Sequence, residues 1–159
     1  MKNLNKKSGI SLMVLAITVV IMIVIASTIL VSYNNIIEDT LKKDFASEIY
    51  SIQKLVDQYY FINGRYPITS QYILDIDTID EKFRFEFEEE RVENNSIKLS
   101  IIDLKECDVE NSKRGKKDTD NDIYVVSEKT GIIYYIKGAK FDDFVYYTLT
   151  DDLKREIGL

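Results

Sequence analysis

The sequence predicts an α+β protein: one long N-terminal helix whose second half packs on a small, mostly antiparallel β-sheet. Three observations carry this prediction. An uncharged apolar run fills residues 10–31, an amphipathic stripe at helical spacing continues to about residue 62, and short alternating segments broken by turn residues occupy the rest. The chain has 159 residues and a single proline, with 45% apolar and 30% charged side chains, enough to bury a core in one unit.

Charge divides the chain. Residues 1–37 carry Lys2, Lys6 and Lys7 and no acid. That leaves 18 basic and 27 acidic side chains for residues 38–159, a net charge of −9. Such an acidic part is a poor match for nucleic acid, which rewards basic patches. The absence of histidine removes Ser-His-Asp and Cys-His pairs and HExxH zinc sites. No GxGxxG or GxxxxGK[ST] loop is present to cradle phosphates. Cys107 is the lone cysteine, so it makes neither an internal disulfide nor a thiolate cluster, and no neighbour clearly activates it. Composition points away from an enzyme.

The helix begins with the apolar run. Ser8–Ile37 has no formal charge, and Ile10–Val31 reads ISLMVLAITVVIMIVIASTILV. About 20 such residues span a bilayer. The lysines before the run and the acids after it predict an N-terminus in the cytoplasm and residues 38–159 outside. A removed secretory signal fits less well, because its apolar region is usually about 7–15 residues long and ends at a small-residue cleavage site. Only Ala26-Ser27-Thr28 suggests such a site.

The flank is more specific. Lys6-Lys7-Ser8-Gly9 runs directly into Ile10-Ser11-Leu12. A short basic leader, a glycine and an unbroken apolar helix resemble the class III signal of type IV prepilins and pseudopilins. In that family a membrane peptidase cuts after the glycine and N-methylates the new first residue. The resemblance implies cleavage between Gly9 and Ile10, a mature chain of 150 residues, and a retained helix. It also implies three partners: the prepilin peptidase, other pilin subunits packed through this helix, and the lipid bilayer before assembly. Two residues depart from the family pattern. Ile10 stands where Phe or Met is usual. Val14 stands where the fifth mature residue is usually a glutamate thought to pair with a neighbour's terminal amine. A buried charge needs a partner, so Val14 removes one electrostatic guide to assembly, as in some minor pilins. Ala16, Ala26 and Ser27 are the candidates for close helix approach in an apolar setting.

The helix continues in a new pattern. Ile37, Leu41, Phe45, Ile49, Ile52, Val56 and Tyr59 recur at steps of three and four, with most charges off that stripe. One helix from about Ile10 to Ile62 would span about 80 Å at 1.5 Å per residue. Asn63-Gly64 and Pro67 stop it, because Asn and Gly tolerate a positive φ and proline cannot continue a helix. YYFINGRYP also resembles the helix exit of pseudopilins. The expected organisation is a leader at 1–9, a transmembrane or filament-core helix at 10–37, its amphipathic half at 38–62 and an extracellular head at 63–159.

In the head, residues 68–82 read as a polar loop with at most one helical turn. Phe83–Glu88 alternates, with three phenylalanines on one face, and Ile97–Ile101 alternates again beyond Asn94-Asn95, which suits a hairpin turn. Residues 103–122 form a charged excursion. Ile123–Val126, Ile132–Ile136 and Phe144–Leu149 are further strands, with turns at Thr130-Gly131 and Lys137-Gly138. About five strands result, their apolar face on the helix stripe. Tyr124, Tyr134, Tyr135, Tyr146 and Tyr147 fit strand and half-buried positions better than an adhesive surface. Paired carboxylates such as Glu86/Glu88 and Asp142/Asp143 read as ordinary acidic surface.

Asp118, Asp120 and Asp122 alternate as at the start of a calcium loop, which makes calcium the one ion the sequence suggests. Ile123 stands where that loop wants glycine, and Lys129 where it wants a bidentate acid. Nearby Lys113, Arg114, Lys116 and Lys117 offer the acids other partners.

The expected function is therefore structural. The chain resembles a subunit, minor rather than major, of a type IV pilus or type II secretion-like pseudopilus. It would sit as a single-pass protein in the cytoplasmic membrane before joining a filament that can reach the cell surface. The rival from another class is a membrane-anchored extracellular binding domain that joins no filament.

Overall fold

The computed structural model describes residues 4–90, 96–109, 112–141 and 143–159, with side chains described outside 4–11, 28–35 and 88–90. Helix α1 runs Leu4–Asn63. The chain divides into two units, Met1–Thr40 and Leu41–Leu159.

In the second unit the helix meets a four-stranded antiparallel sheet. Its strands are β1 (Ile68–Asp75), β2 (Ser96–Ile102), β3 (Tyr124–Val126) and β4 (Ile133–Tyr135), in that spatial order. Tyr72 lies opposite Leu99, Ile101 opposite Val125 and Val125 opposite Tyr134. A separate hairpin pairs β5 (Ala139–Phe141) with β6 (Phe144–Tyr146), and helix α2 (Asp151–Glu156) follows. Thr150 caps α2 by accepting from the Leu153 amide, and Asp151 and Asp152 occupy its first turn.

The amphipathic stripe does what its spacing predicts from Phe45 onwards. Phe45, Ala46, Ile49, Ile52 and Val56 are buried with Ile102, Tyr124, Val126, Ile133 and Tyr135. Ile37 and Leu41, at the start of the stripe, are exposed. Gly64 ends the helix at φ +68, its amide bonding to the Tyr60 carbonyl at 2.8 Å. Two of the other expected turns form. Gly131 and Gly138 have positive φ, with amide bonds back to Ser127 and Tyr135.

The sheet is buried on both faces, not on one. Successive residues alternate sides. Leu74, Ile97, Leu99, Ile123, Val125 and Tyr134 form a second core with Ile76, Ile79, Phe83 and Phe87. That second layer corrects the expected strand at Phe83–Glu88. Glu81–Glu90 is a run of 3₁₀ turns, preceded by a shorter one at Ile76–Thr78. Phe83 and Phe87, four apart, are buried, whereas Phe85 between them is exposed. Phe87 stacks on Tyr134 at 4.6 Å. The alternation of phenylalanine and charge thus hides a helical pair.

Other corrections follow from edges and lengths. The expected loop at 68–82 contains β1, an edge strand whose residues are mostly exposed, so it carries polar side chains and shows little alternation. The strand expected at Phe144–Leu149 stops at Tyr146 and pairs with β5, which the sequence reading omitted. The Asn94-Asn95 turn lies outside the described residues.

Candidate functional site

In the apolar half of α1 the described residues, 12–27, are all exposed. Every large apolar side chain described between Leu12 and Ile25 is exposed, from 47% at Val19 to 72% at Leu12, on all sides of the helix. Its hydroxyls turn inward on their own backbone: Thr18 Oγ1 donates to Leu15 O and Ser27 Oγ to Ile23 O, both at 2.8 Å. Ala16 lies in a shallow apolar notch with Ile17, Val20 and Ile21. Ala26 and Ser27 are exposed. Lys6, Lys7, Gly9 and Ile10 lie outside the residues whose side chains are described. Among the described residues no helix is long and apolar enough to cross a membrane. The stretch described there, residues 12–27, is shorter than the about 20 residues a crossing takes.

The excursion at 103–122 is a built loop. Glu48 of α1 accepts from Ser112 Oγ at 2.7 Å and from the Lys113 and Arg114 amides at 2.7 and 3.1 Å. Its carboxylate also pairs with the Arg114 guanidinium, which lies 5.1 Å from the centre of the Phe45 ring. Lys113 reaches Asp44 at 2.6 Å. Behind the loop, buried Asp122 accepts from the Gly115 and Lys116 amides at 3.0 Å, from the Asp118 amide at 3.4 Å and from the Tyr135 hydroxyl at 2.6 Å. Burial raises the Asp122 pKa, but the Tyr135 hydroxyl and the three amides outweigh it and hold the carboxyl below its ordinary range. Gly115 is required where it stands. Its φ is +71, and a Cβ there would lie 2.6 Å from Tyr124 Cδ2.

Asp122 organises the loop from inside, while Asp118 and Asp120 are exposed. Among the described residues no group of three acidic, histidine or cysteine side chains converges to hold a metal. Cys107 is buried, and burial together with Glu106, Asp103 and Asp108 pushes its thiol up to about 11, which keeps it inert.

A third feature lies beside β6. A cleft of about 360 Å³ is lined by Phe83, Phe85, Glu86, Phe144, Tyr146 and Asp152, among others. Glu86 Oε2 accepts from the Tyr147 amide at 3.0 Å and the Thr148 amide at 3.2 Å. Burial pushes this carboxyl up to about 7 against the opposing pull of those two amides.

No family model, curated protein or solved structure matches the chain.

Sequence reasoning places the apolar helix and the charged excursion at 103–122, but neither the excursion's bonds to Asp44 and Glu48 nor the cleft beside β6. In sequence Glu86 reads as ordinary acidic surface, because nothing local predicts a cleft beside it. At helical spacing it falls three residues after Phe83, on the buried flank. Asp44 and Glu48 are four apart, a single face of α1, and the basic run Lys113-Arg114 is their complement. That pairing of charges was the signal available. The tyrosines behave as strand residues: Tyr124, Tyr134 and Tyr135 are buried and Tyr146 and Tyr147 half-buried.

Proposed function

We propose that the chain is a structural subunit of a type IV pilus or type II secretion-like pseudopilus, processed after Gly9 and assembled through its N-terminal helix, with no catalytic step of its own. The observation that carries this reading is the helix at residues 12–27, apolar and exposed on every side. Apolar surface at this density is covered in use, by lipid or by like helices. Chains that can exchange one cover for the other can leave a bilayer and enter a filament. Ala16 with its notch offers a neighbouring helix a close approach, and Ala26 and Ser27 extend the set of small residues.

The leader supports the same reading. Lys6-Lys7-Ser8-Gly9 before Ile10 is the arrangement a prepilin peptidase takes, and the position of the lysines favours an N-terminus in the cytoplasm with residues 38–159 outside. Val14 favours a minor subunit, since residues 10–37 carry no acid to receive a neighbour's terminal amine. Substituting Gly9→Val tests the proposal in the native host. The account expects an accumulating precursor, heavier than the mature chain by the leader and confined to the membrane. Unchanged processing of the variant would refute it, and would leave a membrane-anchored domain as the reading to pursue.

A further inference from the structure

We propose that the cleft beside β6 is a binding site for a primary ammonium group carried on a short aliphatic stem. This inference is independent of filament assembly and uses other residues.

The argument starts from Glu86. Its carboxylate faces a cleft walled by phenylalanines, and among the described residues no lysine or arginine pairs with it. Both amide bonds fall on Oε2, and Glu86 is one of the residues that line the cleft. A half-buried carboxylate lacking a counter-charge carries a desolvation cost, and a bound cation offsets it. The walls select the kind of cation. Phe85 and Phe144 stand at the rim, 61% and 60% exposed, and Phe144 meets Phe83 edge-on at 6.3 Å and Tyr146 at 6.4 Å. Aromatic faces attract an ammonium and accommodate methylene groups, whereas a hydrated metal ion gains little from them. Asp151 and Asp152 line the same cleft and add negative potential at its mouth, although each is already paired along α2, with Lys154 and Arg155. The volume of about 360 Å³ admits a four- or five-atom stem and its head with room to spare.

Charged and titratable groups around Glu86 come from every neighbouring element. Tyr146 and Tyr147 lie on and just after β6, Asp80 lies before the 3₁₀ run and acts on Tyr147 with Glu86, and Asp151 and Asp152 open α2. Lys42 of α1 sits 5.8 Å from the centre of the Tyr146 ring and is held at 3.1 Å by Glu156. Burial lifts the Glu86 carboxyl to about 7, and ammonium binding follows its ionisation.

The experiment is a titration of the full-length chain in detergent micelles with n-butylammonium chloride, read at the backbone amides of Tyr147 and Thr148 by NMR. The account expects saturable shifts at those two amides, an affinity about tenfold higher at pH 8 than at pH 6, and no saturation with n-butanol. Glu86→Gln should weaken binding at least about tenfold with the near-ultraviolet circular dichroism of the buried tyrosines intact. Phe144→Ala, at an exposed position, should weaken it about threefold and leave the fold alone. A parallel arm with the tripeptide acetyl-Ala-Lys-Ala-amide separates sources. Tighter binding of the tripeptide assigns a lysine side chain, and tighter binding of butylammonium assigns a free amine; both sustain the site. Equal binding by Glu86→Gln, equal binding of butanol, or unsaturated shifts at the wild-type amides would each overturn it.

Discussion

Replacing Glu86 by glutamine should make the head more stable at pH 8 and remove most of its pH dependence between pH 5 and 8. Glutamine stands in for the protonated acid, its carbonyl still able to accept from the Tyr147 and Thr148 amides. The folded head holds the Glu86 proton up to about pH 7, whereas the ordinary value is 4.5. The sign follows from that order. The stability linked to this proton is complete below about pH 4.5 and is lost as pH rises through 7, because the folded state must then ionise a shielded group. The interval between the two values corresponds to about 3 kcal/mol, at about 1.4 kcal/mol for each tenfold change in proton affinity. For a chain of this size that is a rise in Tm of about 6–12 °C for the variant at pH 8. The assay is thermal unfolding of the full-length protein in micelles, followed by near-ultraviolet circular dichroism. Tyr124, Tyr134 and Tyr135 are buried and supply the signal. Parallel pH profiles for wild type and variant, or a variant less stable at pH 8, would refute the reasoning about this carboxyl.

Three further outcomes follow from the loop and the core. Asp122→Ala removes the acceptor of three amides and the Tyr135 hydroxyl, and should cost about 3 kcal/mol in urea unfolding; a loss under 1 kcal/mol would mean that water replaces the carboxylate. Gly115→Ala forces a Cβ against the Tyr124 ring at positive φ and should cost about 2 kcal/mol, while the same change at Gly64, where a Cβ meets nothing within 4 Å, should cost about 1 kcal/mol. Chelating calcium should leave the Tm of the full-length chain unchanged, since Asp122 is committed to the loop; a calcium-dependent rise abolished by Asp118→Asn and Asp120→Asn would contradict this.

The long helix was legible because two local rules agree over its length: no charge from Ser8 to Ile37, then a stripe at steps of three and four. Its end was legible because Gly64 is needed at φ +68. Strand β2 was legible from its apolar alternation, and β3 and β4 from short apolar runs with a glycine turn between them. What failed was the second layer. Phe83–Glu88 alternates like a strand, yet its backbone is held in 3₁₀ turns by what Phe83 and Phe87 bury against Tyr134 and the sheet. That choice belongs to tertiary packing, which local periodicity does not contain. Strand β1 was missed for the opposite reason: as an edge strand it has little to bury, so its sequence reads as a loop. Asp122 shows the same limit at the candidate site. Alternate acids suggest a metal, and only the fold shows the third of them turned inward to bind the loop's own amides.

The central claim is that this helix is cut from its leader at the cytoplasmic face and carried into a filament. The most direct test is the mass of the N-terminal peptide of the mature protein, purified from its native host. The account predicts a peptide that begins at Ile10 with one added methyl group on its amine. A peptide that begins at Met1 or Lys2 would contradict it.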